Sequence, residues 1–177
     1  RKVPFTRELY IEKSDFAEVP PPKFQRLKPD GEVRLMGAYI VKCNEVVKDG
    51  NGEIVEIRCT ADLETGNGMP ADGRKVKGTI HWVSAAHAVD ADLYLYDNLF
   101  TLENVNDVPE GTDYLDYLNP DSLKKLTGCK LEPSLRDAKE GERFQFVRMG
   151  YYVKDREEGR FNRIVTLKDS FAKALQK

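Results

Sequence analysis

The segment KDGNGE, residues 48–53, constrains the fold of this chain more than any other feature. Its Asp-Gly and Asn-Gly pairs tolerate the positive φ angles that a tight β-hairpin turn requires. The turn follows a long β-prone run at residues 33–47 and precedes residues 54–60, IVEIRCT, whose side chains alternate between two faces. A period of two residues predicts a sheet with one solvated face.

Other runs rich in aromatic and β-branched residues predict further strands between turn signals. The densest in unusual residues is GRKVKGTIHWVSAAHA, residues 73–88, which holds the single Trp and both His. We predict a central strand at 76–83, with the other strands wrapped around it. About eight strands in all are typical of an all-β sandwich or barrel. The remaining strands are predicted at 3–12, 91–100, 144–153 and 160–167, with loops at 61–73 and 101–113 and a turn at 155–159.

Short helices are expected at a few places between the strands. The sequence NPDSLKKLTG, residues 119–128, has Asn119 as an N-cap, Pro120 in the first turn and Gly128 as a stop signal. Residues 132–141 are expected to hold a second helical turn, and residues 168–177 a short terminal helix.

Composition excludes several classes of protein. The chain of 177 residues carries a formal net charge of −2, so any nucleic acid must be bound through local basic patches. Its three Cys are odd in number and form no CxxC pair, which argues against a disulfide framework and favours a reducing cytoplasm. No apolar run approaches the roughly 20 residues of a membrane span. Because the first residue is Arg1 rather than Met and a strand-like run begins almost at once, we expect a fragment of a longer protein, with a processed terminus as the alternative.

Metal and nucleophile chemistry finds little support in the sequence. His81 and His87 lie six residues apart, and no Cys pair has the spacing of a zinc finger. Ser84 near His87 lacks a GxSxG elbow, and no phosphate-binding glycine loop occurs. We therefore expect both His to pack within the fold.

Basic residues recur beside aromatic ones in KFQR (23–26), RFQF (143–146) and RFNR (160–163). Unstacked RNA bases stack on aromatic rings, Arg and Gln read base edges, and Lys holds phosphates. The pattern favours RNA binding, although in a chain with 33% charged residues it also fits ordinary solvated strand faces.

Longer stretches carry a specific resemblance. The segments VPFTRELYIEKSDF, EVRLMGAYIVKC, EIRCT, PADGRKVKGTIHWVSAAHA, LYDNLF, LNPDSL, EPSLRDA, FQFVRMGYY and FNRIVTLKDSFAK follow in this order. Together they strongly resemble the C-terminal half of the glutaminyl-tRNA synthetase family. The resemblance implies two β-barrels related to ribosomal protein L25, which we expect at residues 1–98 and 99–177, with terminal strands that can cross between them.

The resemblance also implies a function. The family's C-terminal half binds the anticodon loop of the glutamine tRNA, whereas a catalytic domain N-terminal to it uses ATP and Mg²⁺ to attach glutamine. The HIGH-type and KMSKS-type motifs of that domain do not occur here. The chain is thus expected to be the anticodon-binding portion of a cytoplasmic, monomeric ATP-dependent ligase, without catalytic residues or a cofactor of its own. Its partners would be the tRNA anticodon stem-loop and the catalytic domain, and no membrane.

Particular residues correspond to the family's anticodon pockets. The KFQRL segment implies that Arg26, with Gln25 beside it, contacts the third anticodon base. The FQFVR segment implies that Gln145 and Arg148 contact the middle base, and the EVRLMG segment implies that Arg34 contacts the first. Contacts with the tRNA backbone are expected from Lys23, Arg74, Lys75 and Ser170.

The resemblance breaks after Arg34. Where the bacterial pattern reads RLRN, this chain has Met36 and Gly37, which offer neither a guanidinium nor an amide group. The first base is therefore expected to be read differently here.

Two alternatives stay open at this point. The same region occurs in glutamyl-tRNA synthetases of the archaeal and eukaryotic type, although HWVSAAHA favours glutamine. A free-standing barrel that binds ribosomal RNA is the non-enzymatic alternative.

Overall fold

The computed structural model describes residues 1–167. The described residues form two compact units, one made of Pro4–Ala86 and the other of Arg1–Val3 together with residues 87–167. This division falls earlier than the predicted boundary between residues 98 and 99.

Two sheets make up the unit Pro4–Ala86. A small antiparallel pair joins the first and last strands, and a four-stranded sheet has the order β4-β3-β2-β5, in which β5 is parallel to β2. The strands are β1 (Leu9–Ile11), β2 (Glu32–Leu35), β3 (Ile40–Lys48), β4 (Ile54–Asp62), β5 (Thr79–Ile80) and β6 (Trp82–Ser84).

The hairpin of β3 and β4 confirms the turn predicted from KDGNGE. The Asp49 carboxylate accepts hydrogen bonds from the backbone N–H groups of Asn51 and Glu53, both at 2.9 Å. Gly52 adopts a φ of 84°. The side chain of Asp49 and the glycine together close the turn, as expected for an Asx-type loop.

Alternation along β2 separates the core from the solvated face. Val33 and Leu35 are buried, whereas Glu32 and Arg34 are half-buried. Val33 packs in the same core as Ile40 and Ile80, all 0% exposed. The polar residues of β2 are therefore carried on the opposite face of the sheet.

The predicted central strand at 76–83 is wrong, because two short strands in different sheets occupy its place. β5 lies at the edge of the four-stranded sheet, and β6 pairs with β1. Gly78 precedes them with a φ of 90°, so the chain turns out of a regular strand there. The run 33–47 is likewise divided by a turn, in which the Ala38 N–H donates to the Leu35 carbonyl at 2.9 Å.

The other unit contains one five-stranded sheet in the order β8-β7-β11-β10-β9. β7 and β11 are parallel, and the remaining pairs are antiparallel. Its core contains Tyr152, Phe161 and Leu93, and the ring of Phe146 stacks on Tyr152 with centroids 4.3 Å apart. The strands are β7 (Val89–Tyr96), β8 (Leu123–Leu131), β9 (Arg143–Phe146), β10 (Gly150–Lys154) and β11 (Arg160–Val165).

The helix predicted at 119–128 is also wrong. Asn119 accepts from the backbone N–H of Asp121 at 3.0 Å and so forms a turn rather than a helix cap. β8 follows at once and pairs with β7. Gly128, with a φ of 65°, donates its N–H to the Asp92 carboxylate at 3.0 Å beside an irregularity in this pairing. Tertiary strand pairing overrides the local helix signals.

Helical structure in the described residues is confined to 3-10 turns at Lys13–Asp15, Tyr114–Tyr117 and Pro133–Leu135. The last of these lies within the predicted turn at 132–141, whereas residues 168–177 lie outside the described part of the chain. The all-β class is confirmed, while closure of the sheets into barrels stays a prediction. No helix in residues 1–167 has the length and apolar character needed to cross a bilayer.

Candidate nucleic-acid interface

A hollow of about 500 Å³ opens on the unit Pro4–Ala86. It brings together three residues predicted from the sequence, namely Gln25, Arg26 and Lys75. The hollow is lined by Phe24, Gln25, Arg26, Lys28, Asp30, Glu32, Lys42, Lys75, Val76 and Lys77.

The segment that carries Arg26 is held by its buried neighbour Leu27. Leu27 is 2% exposed, and its backbone N–H donates to the Asp15 carbonyl at 3.0 Å. Its own carbonyl accepts from the Ala17 N–H at 3.2 Å. Because Leu27 is fixed in the core, Arg26 and Lys28 on either side of it line the hollow.

Lys28 and Lys42 are hollow residues that sequence reasoning missed. Lys42 lies on β3 directly opposite Glu32 of β2, so strand pairing brings it to the hollow. The period-two pattern of β3, in which Val41 and Cys43 are buried, would have placed Lys42 on the outer face. Lys28 follows Arg26 by two residues, and this spacing is the only feature of the sequence that indicates a place for Lys28 beside Arg26.

The hollow carries an excess of positive charge. Among the described residues, the ammonium groups of Lys28, Lys42, Lys75 and Lys77 form no ion pair with a carboxylate. Glu32 is engaged by the Arg74 guanidinium at 3.1 Å. Several uncompensated cations around one concave surface raise the local positive potential, which attracts anions.

The Arg26 guanidinium forms an ion pair with the Asp15 carboxylate. The Asp15 side chain is 0% exposed and the Arg26 side chain is 36% exposed. One side of the guanidinium is therefore held in the protein, and the rest reaches the hollow.

Arg34, predicted at the first anticodon base, is engaged within the protein. Its guanidinium donates to the carbonyl oxygens of Gly66 at 3.1 Å and Gly68 at 2.6 Å. These contacts fasten the loop that precedes Gly73 to β2. The nearby turn at Met36 is held separately, because the Trp82 Nε1–H donates to the Met36 carbonyl at 3.0 Å.

Arg74, predicted at the tRNA backbone, is surrounded by three carboxylates. It contacts Glu32 at 3.1 Å, Asp62 at 2.6 Å and Asp72 at 2.8 Å. Hydrogen bonds from the Arg74 guanidinium lower the pKa of Asp62. The backbone N–H and the guanidinium of Arg74 both donate to Asp72 and lower the pKa of that carboxylate. This charge balance favours a structural role for Arg74.

Gln145 and Arg148 lie together in the hairpin of β9 and β10. Gln145 is exposed on the edge strand β9 opposite Tyr151, whose side chain is also exposed. Arg148 is half-buried in the turn and has a φ of 70°, which is rare for a residue other than glycine. Such backbone strain persists where the surrounding structure enforces it, often at functional sites.

The aromatic residues of the basic-aromatic segments have a different use from the one predicted. Phe161 is 2% exposed, and both Phe144 and Phe146 pack against it with ring centroids 6.0 and 5.8 Å apart. These rings are occupied in the core, so they do not offer a face to a base. Phe24 differs, since it lines the hollow.

The other predicted residues bring no new chemistry. Lys23 is exposed, and Ser170 lies outside the described residues. His81 is half-buried, whereas His87 is exposed, so the expectation that both His pack within the fold is wrong for His87. Residues 1–167 contain no cluster of three His, Cys, Asp or Glu side chains that could bind a metal ion, and the three Cys are free thiols.

Comparison with known proteins gives two family matches. Residues 1–62 and residues 79–155 each match a family described as tRNA synthetases class I (E and Q), anti-codon binding domain. The first match contains Gln25, Arg26 and Arg34. The second contains Gln145 and Arg148.

Curated relatives agree with these matches. The chain is 53% identical over 178 residues to the glutamine–tRNA ligase of Xanthomonas campestris pv. campestris (strain 8004), which covers 98% of the chain and 31% of that ligase. It is 53% identical over 176 residues to that of Ectopseudomonas mendocina (strain ymp), covering 97% of the chain and 32% of the ligase. The corresponding enzyme of Pseudomonas syringae pv. tomato is 49% identical over 176 residues, 97% of the chain and 31% of the ligase. The chain spans about a third of the length of these relatives. Because the two family matches together cover most of its residues, the chain belongs to the anticodon-binding domain family of class I tRNA synthetases for glutamate and glutamine.

Proposed function

We propose that this chain recognises the anticodon loop of the glutamine tRNA on behalf of a glutamine–tRNA ligase. The observation that carries the proposal is the hollow, which is lined by Gln25, Arg26 and four lysines. Among the described residues, none of these lysines forms an ion pair with a carboxylate. Its volume of about 500 Å³ suits a single unstacked nucleotide rather than a duplex. Single-stranded loops whose bases are splayed apart are the usual targets of sequence-specific RNA recognition.

Within this proposal the hollow takes the third anticodon base. The Arg26 guanidinium and the Gln25 amide supply planar hydrogen-bond groups that can read a base edge. The lysines supply point charges for the phosphates on either side of that base. Phe24 and Val76 give the hollow an apolar part against which a ring can pack.

The hairpin of β9 and β10 takes the middle base. Gln145 is exposed on an edge strand, and Arg148 lies three residues further along in the turn, so both reach the same end of the hairpin. The first base is assigned to the region of Arg34 and Met36. Because the Arg34 guanidinium is engaged by Gly66 and Gly68, we propose that Arg34 acts there through the loop it fastens.

The attachment of glutamine is proposed for the parent enzyme. It would take place in a catalytic domain N-terminal to this chain, which binds ATP and Mg²⁺. No residue of this chain is assigned to that chemistry. We propose that the parent enzyme is a monomer and acts in the cytoplasm, where its three free thiols suit a reducing environment.

Binding to anticodon stem-loops tests the proposal. The chain is titrated with the glutamine stem-loop and with versions that differ at one anticodon base, at a stated salt concentration. We expect each substitution to weaken binding by about 1–3 kcal/mol, by analogy with a lost bidentate base contact in DNA. Equal affinity for all stem-loops would refute anticodon reading by this chain.

A glutamate enzyme is the second candidate, because the family description covers both amino acids. Charging assays with the full-length enzyme decide between the two. A free-standing RNA-binding protein would instead bind a ribosomal RNA fragment more tightly than any anticodon stem-loop.

A further inference from the structure

Asp15 is a fully buried carboxylate that forms an ion pair with a residue of the hollow. The side chain is 0% exposed and belongs to the 3-10 turn Lys13–Asp15. A buried carboxylate is costly unless it is paired and hydrogen-bonded. Its cation is Arg26, which lines the hollow and is 36% exposed.

The backbone holds this pair in place from both sides. The Leu27 N–H donates to the Asp15 carbonyl at 3.0 Å, and the Ala17 N–H donates to the Leu27 carbonyl at 3.2 Å. A parallel bridge joins Phe16 to Leu27 between them. The two ends of the ion pair therefore belong to segments that are tied together, and the carboxylate is fixed before any ligand arrives.

A fixed carboxylate has two consequences for the guanidinium. Arg has five N–H donors in a rigid planar fork, so a contact on one side sets the direction of the remaining donors. The negative charge of Asp15 also offsets the positive charge of Arg26, which reduces its attraction to phosphates. The lysines of the hollow keep that attraction, because they form no ion pair with a described carboxylate.

We propose that Asp15 is a positioning residue for the reading of the third anticodon base, because it orients Arg26 toward a base edge and withholds it from the RNA backbone. This inference rests on the proposed function of the hollow. It separates the hollow into a base-reading group, Arg26, and phosphate-binding groups, the lysines.

The substitution Asp15→Asn tests the inference, since it keeps the shape of the side chain and removes its charge. Binding of the 177-residue chain to the glutamine stem-loop and to a stem-loop changed at the third base gives the discrimination at that base. We expect this discrimination to fall about tenfold. We also expect the slope of log affinity against log salt to steepen by about 0.7, because Arg26 becomes available to a phosphate.

A structural role alone would not produce this combination. A partly unfolded variant would bind every stem-loop more weakly, whereas the proposal predicts that the mismatched stem-loop is bound more tightly than before. Discrimination at the middle base, read by the other unit, should stay unchanged. Glu53→Gln is the matched control, because it removes a carboxylate charge at an exposed position of the same unit, outside the lining of the hollow.

Asp15→Glu keeps the charge and moves the carboxylate by one methylene, so it serves if the Asn variant does not fold. We expect reduced discrimination at the third base with an unchanged salt slope. If a folded Asp15 variant keeps full discrimination at the third base while Arg26→Ala loses it, the positioning role of Asp15 is overturned. The assignment of the hollow to the third base would still stand. Unchanged discrimination in Arg26→Ala would overturn both this inference and the assignment of the hollow.

Discussion

The backbone of Gly78 lies against the carbonyl oxygen of Gln25, so that a Cβ atom on Gly78 would stand 1.8 Å from that oxygen. Gly78 also has a φ of 90°, which side chains rarely tolerate. A glycine is therefore needed where the segment of Gln25 and Arg26 approaches the edge of the four-stranded sheet.

We predict that Gly78→Ala lowers the free energy of unfolding by about 3 kcal/mol, from backbone strain and overpacking together. It should also reduce discrimination at the third anticodon base, since the Gln25 segment must move. Chemical denaturation and stem-loop titration measure the two effects. Gly73→Ala is the control, because Gly73 has a φ of 71° but open space around its Cβ position. It should cost about 1 kcal/mol and leave discrimination intact, and equal effects of the two variants would contradict the close-contact argument.

Strand patterns predicted the fold class because β-sheet alternation is a local property of the sequence. The hairpin around Asp49 and the turn at 155–159 were correct for the same reason. Interruptions of long runs were not predictable, since the division of 76–83 depends on which partner each half finds. The helix expected at 119–128 failed because Gly128 serves an irregular strand pair rather than a helix end.

The candidate site shows the same division between local and non-local information. Gln25 and Arg26 could be named from a segment resemblance, and the structure brings them to one hollow with Lys75. Lys42 reaches that hollow through strand pairing with Glu32, which no local pattern reports. The buried partner of Arg26 lies eleven residues before it, in a turn whose acidic residue looks like any solvated charge in the sequence.

The lysines of the hollow should account for much of the salt dependence of RNA binding. Replacing Lys28, Lys42 and Lys77 together by Met is expected to reduce the slope of log affinity against log salt by about 2, from about 0.7 for each lost phosphate contact. Discrimination between anticodon bases should persist, because Arg26 remains. Titrations at several salt concentrations measure the slope. Lys48→Met is the control, since Lys48 lies outside the lining of the hollow and forms an ion pair with Glu18 at 2.8 Å. An equal change of the salt slope in Lys48→Met would contradict a special role for the lysines of the hollow.

The strained residue of the β9–β10 turn permits a sharp test of the middle-base pocket. Arg148→Lys keeps the positive charge and an unbranched aliphatic stem, but it replaces a planar fork by a point charge. We expect discrimination at the middle base to fall about tenfold while the salt slope and the unfolding free energy stay within error. Competition between stem-loops changed at that base gives the ratio. Arg143→Lys, at an exposed position on β9 of the same hairpin, should leave it unchanged. No loss in either variant would mean that the hairpin attracts RNA only through its charge.

The carboxylates around Arg74 should make stability depend on pH in the acidic range. Arg74 lowers the pKa of Asp62 and of Asp72, so each carboxylate has a lower pKa in the folded than in the unfolded chain. A group of this kind stabilises the fold above its unfolded pKa, about 3.9 for Asp, and that stabilisation is lost as the pH falls through the folded value.

We therefore expect the Tm difference between the wild type and Arg74→Met to be largest near neutral pH and to shrink as the pH is lowered below about 4. In the variant, neighbouring carboxylates without their cation repel one another, and protonation relieves that repulsion. Thermal unfolding monitored at a series of pH values provides the measurement. Arg58→Met is the matched control, because Arg58 contacts Glu45 and Glu56 at 2.9 and 2.8 Å on an exposed surface, where ion pairs contribute little. A Tm difference for Arg74→Met that stays constant across the acidic range would show that Arg74 stabilises the loop by packing rather than by charge.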